Sequence, residues 1–102
     1  MRANYVKRRL AAGEPSVGTW LALPMPEGAE YIGSLGFDWL LVDTEHSPID
    51  IRTLVLMFAA LSASVSAPMV RIPGNTPEHF KRALDAGAWG GVPLVNSAAE
   101  AE

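Results

Sequence analysis

The strongest constraint on this chain is its alternation of short, β-rich apolar runs with segments of helical periodicity. VGTWLAL (17–23), FDWLLVD (37–43), APMVRIP (67–73) and GGVPLV (90–95) are the four runs. Each of the first three is followed by a helical pattern with its own start and stop signals. PEGAEYIGSLG puts Pro26 in a first turn and Gly36 at a C′ stop. After the second run, Ser47, Pro48 and Asp50 read as N-cap, N1 and N3 of a helix whose apolar stripe is Ile51, Leu54, Val55, Phe58 and Leu61. After the third, Thr76-Pro77-Glu78 starts a helix that turns Phe80, Ala83 and Leu84 inward and ends at Gly87. A short basic helix from about Asn4 to Ala12, stopped by Gly13, leads the chain. Consecutive strands joined by helices call for a parallel sheet with right-handed crossovers.

The last residues sharpen the fold class. Ser97-Ala98-Ala99-Glu100 is an S-x-x-E capping box, the signature of a helix start, within a sequence that reads only to Glu102. A (β/α)₈ barrel needs about 250 residues. The expected fold is therefore α/β, the N-terminal half of a (β/α)₈ TIM barrel: four parallel strands, three crossover helices and a leading helix, with residues 1–102 a partial barrel domain truncated after strand four. A small complete α/β sandwich is the competing architecture; it leaves the capping box without a role. GGVPLV is the weakest strand, with two glycines and a central proline.

In parallel α/β folds the strand C-termini share one end, where ligands bind. Asp43, Glu45 and His46 follow the second strand and Arg71 closes the third, so all four are expected on one rim. A carboxylate beside an imidazole fixes its tautomer and raises its basicity, and a guanidinium fork grips a substrate carboxylate. Plainer roles are open for each: Asp43 as a turn residue, Glu45 as a solvated charge, His46 packed on the rim. For Arg71 a charge inside an apolar run is costly without an anionic partner. His79 is expected to face solvent, as is the Lys7-Arg8-Arg9 cluster. Trp20, Trp39 and Trp89 are read as core, Trp20 being the one that reaches the rim.

Other chemistries are excluded by what the sequence lacks. With no Cys there are no disulfides or thiolate ligands, and the two histidines have no metal-ligand spacing, so no zinc site is expected. There is no G-x-x-x-x-G-K-[ST], G-x-G-x-x-G or G-x-S-x-G. A net charge of -3 provides no field for nucleic acid, and no apolar run is long enough for a membrane span. A soluble cytoplasmic protein is the expectation.

GFDWLLVDTEHSP, APMVRIPGNTPEHFKRALDAGAWG and VPLVNSAAEAE together resemble the class II, metal-dependent pyruvate aldolases. These are the 4-hydroxy-2-oxoheptanedioate and 2-dehydro-3-deoxyglucarate aldolases of the citrate-lyase-like phosphoenolpyruvate/pyruvate barrel superfamily. The resemblance implies a carbon-carbon lyase that cleaves a 4-hydroxy-2-oxo acid to pyruvate and an aldehyde, with a divalent metal (Mg²⁺, Mn²⁺ or Co²⁺) stabilising the enolate. It implies His46 as general acid/base, Asp43 as its orienting partner, Arg71 and Trp20 as substrate-binding residues and Glu45 beside metal-bound water. The metal ligands are expected beyond Glu102, none in this chain, and the partners are a small-molecule 2-oxo acid and like subunits, as a hexamer. GAWGGVPLVN is one residue shorter than the family's GAxGVxVPxVN, which predicts a damaged fourth strand. An inactive half-barrel serving only as an association module is the alternative function.

Overall fold

The computed structural model describes residues 3–102. Four strands, β1 (Gly18–Leu21), β2 (Trp39–Asp43), β3 (Ala67–Arg71) and β4 (Gly90–Val92), form one sheet in sequence order, with every neighbouring pair parallel. Helices α2 (Pro26–Gly33), α3 (Ile51–Ala60) and α4 (Pro77–Asp85) are the crossovers, and α1 (Tyr5–Ala11) precedes β1. A 3-10 turn, Leu61–Ala63, extends α3. This is the expected half-barrel arrangement of four consecutive βα-type strands.

Strand periodicity divides the sheet into two faces. On the helix side, Leu21, Leu40, Val42, Val70 and Ile72 pack with Ala29, Leu54, Met57, Phe58, Leu61 and Ala83 as the core. The opposite face carries Trp20, Leu41 and Met69 in one row and Asp43, Arg71 and Val92 in the next. That face interlocks large with small: a Cβ on Gly18 would sit 2.0 Å from the Trp39 ring, so only glycine admits the indole there. β2, flanked by β1 and β3, is buried from Leu40 to Asp43, as its near-continuous apolar run requires.

Helix phases differ from the sequence reading. The N-cap of α3 is Asp50, whose carboxylate accepts from Thr53 N at 2.8 Å; Ser47 instead donates its hydroxyl to the Asp43 carbonyl. The chain uses the intervening residues to bury Ile49 before the helix begins. The face that docks is also rotated from the expected stripe: Met57 is buried beside Leu54, Phe58 and Leu61, while Ile51 and Val55 are left exposed. In α4, Ala83 is buried and Phe80 packs partly on the core, but Leu84 is exposed, because the core-facing stripe is narrower than the apolar pattern. Gly13 and Gly87 occupy the C′ positions of α1 and α4 with φ of 72° and 111°; Gly36 (φ 90°) lies one residue past the C′ position of α2.

None of the tryptophans is a core residue in the strict sense: Trp39 and Trp89 are half-buried and Trp20 is exposed. His79 is also not simply solvent-facing. Its ring is half-buried, with Nδ1 3.0 Å from the Gly74 carbonyl oxygen. At the tail, only the first half of the expected capping box forms: Ser97 Oγ accepts from Glu100 N at 3.3 Å, but the Glu100 carboxylate accepts from Asn96 N at 2.7 Å, one residue before the N-cap, and the element capped is the 3-10 turn Ala98–Glu100.

The basic cluster is split by α1 docking at the N-terminal ends of the strands. Lys7 and Arg8 are exposed, but Arg9 Nη1 pairs with Asp38 Oδ1 at 3.1 Å. Asp38 Oδ2 accepts from Val17 N at 2.8 Å, and Tyr5 Oη contacts the carbonyls of Asp38 and, at 2.7 Å, Val65. Burial first, and the Asp38 charge second, raise the Tyr5 pKa. The neutral phenol is thus the form the fold prefers. Its contribution is complete below the unfolded value of about 10 and is lost as pH rises through the higher folded value. Tyr5→Phe is expected to cost about 1 kcal/mol at neutral pH and to flatten the alkaline fall in urea-denaturation stability. An unchanged alkaline slope in that variant would show that Tyr5 does not carry it.

Candidate active site

The β2-β3 register makes Asp43 and Arg71 Cα partners at the C-terminal end of the sheet, on the face away from the helices. Thr44 closes that ladder: its N–H (3.1 Å) and its hydroxyl (2.5 Å) both donate to the Arg71 carbonyl. Thr44 was not singled out as a candidate; a hydroxyl residue immediately after a strand is too common a signal to mark it. The Arg71 backbone is therefore fixed from the turn that carries the acidic residues and the histidine.

That turn is folded by Asp43. The residue is 7% exposed, and its Oδ1 accepts from Glu45 N at 2.9 Å and His46 N at 3.0 Å. The Asp43 carbonyl receives the Ser47 hydroxyl. A buried carboxylate is tolerated here because backbone donors replace water. Asp43 thus orients the backbone that presents His46; the carboxylate in contact with the imidazole is that of Glu45.

Glu45 Oε2 is the centre of the cluster. It pairs with Arg71 Nε and lies 3.3 Å from His46 Nε2. Glu45 and Arg71 are mostly buried, whereas the His46 side chain is 64% exposed. The Oε2 and Nε atoms are both closed to solvent, so the ion pair is what compensates each for lost hydration. Above it, the Arg71 guanidinium carbon lies 5.8 Å from the centroid of the Trp20 ring, within cation–π range. The structure therefore brings Asp43, Glu45, His46, Arg71 and Trp20 together on one rim. Among the described residues, no three His, Asp or Glu side chains converge to hold a metal ion. Asp43 is committed to backbone amides and Glu45 to Arg71, so these residues do not by themselves make a metal centre.

The Asp43 contacts have a direct consequence. Asp43→Ala removes the acceptor for two backbone donors and is expected to destabilise the chain by about 2 kcal/mol. Asp43→Asn retains an acceptor oxygen and is expected to lose less than half of that. Chemical denaturation of the two variants checks the order; equal losses would mean that charge, not acceptor geometry, holds the turn.

The chain as a whole is similar to known proteins in sequence and fold. Residues 16–102 match the family HpcH/HpaI aldolase/citrate lyase. A 5-keto-4-deoxy-D-glucarate aldolase of Escherichia coli O139:H28 is 45% identical over 100 residues, which are 97% of this chain and 39% of that protein. The crystal structure of an HpcH/HpaI aldolase/citrate lyase family protein from Burkholderia cenocepacia J2315 superposes with a TM-score of 0.88 at 37% identity, over 97% of this chain and 40% of that one. The citrate synthase SbnG superposes with a TM-score of 0.77 at 35% identity, over 88% of this chain and 37% of its own. The chain thus spans about two fifths of the length of these relatives, and no helix among its described residues is long and apolar enough to cross a membrane. On sequence and fold together, this chain belongs to the HpcH/HpaI aldolase/citrate lyase family.

Proposed function

We propose that residues 1–102 form the part of a pyruvate-type aldolase barrel that binds the acid group and moves the proton. The reaction is the retro-aldol cleavage of a 4-hydroxy-2-oxo acid to pyruvate and an aldehyde. The observation that carries this reading is the single carboxylate oxygen of Glu45 shared between His46 Nε2 and Arg71 Nε at the strand C-termini. The relative named as a 5-keto-4-deoxy-D-glucarate aldolase supports a sugar-acid-derived 2-oxo acid as the substrate class.

Each group has a role that its position allows. With Nε committed to Glu45, the Nη groups of Arg71 receive the substrate carboxylate, and Trp20 packs over the guanidinium. Glu45 Oε2 lies 3.3 Å from the Nε2 side of the exposed His46 ring, so Nδ1 is the nitrogen left for the substrate. Nδ1 takes the proton of the 4-hydroxyl. The C3–C4 bond then breaks, C4 becomes the aldehyde carbonyl, and the electron pair stays on the C2–C3 unit as the enolate of pyruvate. Protonation at C3 completes pyruvate and returns the base. A divalent cation, held by carboxylates from the remainder of such a barrel, would supply Lewis acidity at the keto oxygen. No step assigned to this chain runs through it.

A second reading is that the chain acts only through association. β1 and β4 are open sheet edges, and Trp20 is 48% exposed on the face away from the helices. Edges and apolar faces of this kind are covered in stable proteins.

The two readings separate experimentally. The isolated 102-residue chain is expected to release no pyruvate from 4-hydroxy-2-oxo acids with Mg²⁺ or Mn²⁺ and to self-associate by light scattering. A monodisperse, cooperatively melting monomer would contradict the half-barrel reading. Joined in frame to the later strands of the E. coli relative, residues 1–102 are expected to support EDTA-sensitive pyruvate release, reduced about 10²–10⁴-fold by His46→Ala. A folded chimera without turnover, or one insensitive to His46→Ala, would remove the catalytic assignment.

A further inference from the structure

Beyond this reading, and independent of it, one residue controls the fourth position on the rim. β4 has only three ladder residues, and its last backbone contact with the preceding strand is Ile72 N to Val92 O at 3.3 Å. In the alternation set by Val92 the next rung would run from Leu94 N–H to the Ile72 carbonyl, but the chain after β3 bends from Pro73 onward, and Leu94 N finds a side-chain acceptor instead. Leu94 is nevertheless paired at both backbone groups. Asn75 Oδ1 accepts from Leu94 N at 2.9 Å, and Asn75 Nδ2 donates to the Leu94 carbonyl. A primary amide offers the same donor and acceptor pair as a strand residue, and Leu94 dictates its orientation.

The arm carrying Asn75 is itself fixed. Gly74 O faces His79 Nδ1, and Thr76 Oγ1 caps α4 by accepting from His79 N. The arm begins directly after Arg71. We propose that Asn75 is a positioning residue that supplies the missing rung between β3 and β4, holding residues 94–96 at the rim beside Arg71. Because the Leu94 N–H is committed to Asn75, it is not available as a donor to a ligand at this position of the rim. A glycine-rich strand followed directly by proline thereby keeps a defined C-terminal end, whichever reaction the rim serves.

Native-state hydrogen exchange by mass spectrometry on the 102-residue chain tests this in monomer or oligomer alike. The peptide spanning residues 93–97 is expected to be protected, and Asn75→Ala to lower that protection on the order of tenfold while peptides from β2 and β3 are unchanged. In Asn75→Asp the introduced carboxylate repels the Leu94 carbonyl at neutral pH. Protection relative to intrinsic exchange is expected to recover as pH falls towards about 4, where the carboxyl gains a proton to donate. A purely structural loop residue would show no such recovery. An unprotected parent peptide, no change in Asn75→Ala, equal loss across all strands, or no pH-dependent recovery in Asn75→Asp would each overturn the proposal.

Discussion

The pairing of Asp43 with Arg71 across the parallel β2-β3 ladder is the constraint from which the site follows. In a parallel ladder, partners lie side by side on the same face, and every strand presents its C-terminus at the same end. A carboxylate-led turn and a guanidinium are thereby delivered to one rim without any loop having to find its place. Thr44 ties the two strand ends together through the Arg71 carbonyl. Slipping that register by one residue would send Arg71 into the apolar layer under the helices.

Charge compensation then distributes the polar groups. Asp43 can be buried because two backbone amides satisfy its carboxylate, and this frees Glu45 to reach Arg71 and His46. A buried Arg-carboxylate pair does little for stability by itself, since desolvation offsets most of the Coulombic gain. Its value is geometric. It turns the Nε edge of the guanidinium towards Glu45 and holds the same carboxylate oxygen 3.3 Å from His46 Nε2. The TM-score of 0.88 to a family member at only 37% identity shows that this backbone accommodates extensive sequence change.

The two faces of the sheet depend on different partners. The helix side carries the buried core, with Leu40, Val42, Leu54, Met57 and Val70 almost fully buried. The other face relies on its own interlocking, the Trp39 ring over Gly18 and Met69 against Gly90, with Trp20 half open to solvent. At the opposite end from the rim, Asp38 gathers Arg9, Val17 and Tyr5, so that α1 closes the strand N-termini. Rim chemistry and basal fastening are thus separated along the strand axis.

What could be read from the residues alone was whatever short-range chemistry encodes. Alternating apolar runs, prolines at helix starts, and glycines at Gly13 and Gly87 marked the elements, and DTEHSP followed by VR marked the rim, because these preferences act within a few residues. The phase of α3 was not legible. Ser47 and Asp50 are both competent caps, and only the burial of Ile49 and the engagement of Ser47 by the Asp43 carbonyl select Asp50. Nor was the pairing of Glu45 with Arg71, or the reach of Asn75 to Leu94, since each joins residues 19 or more apart in the chain. Sequence determined which elements form and which polar groups arrive at the rim. Tertiary structure decided which of them touch, because hydrogen-bond and ion-pair geometry is settled only when the register of neighbouring strands is fixed.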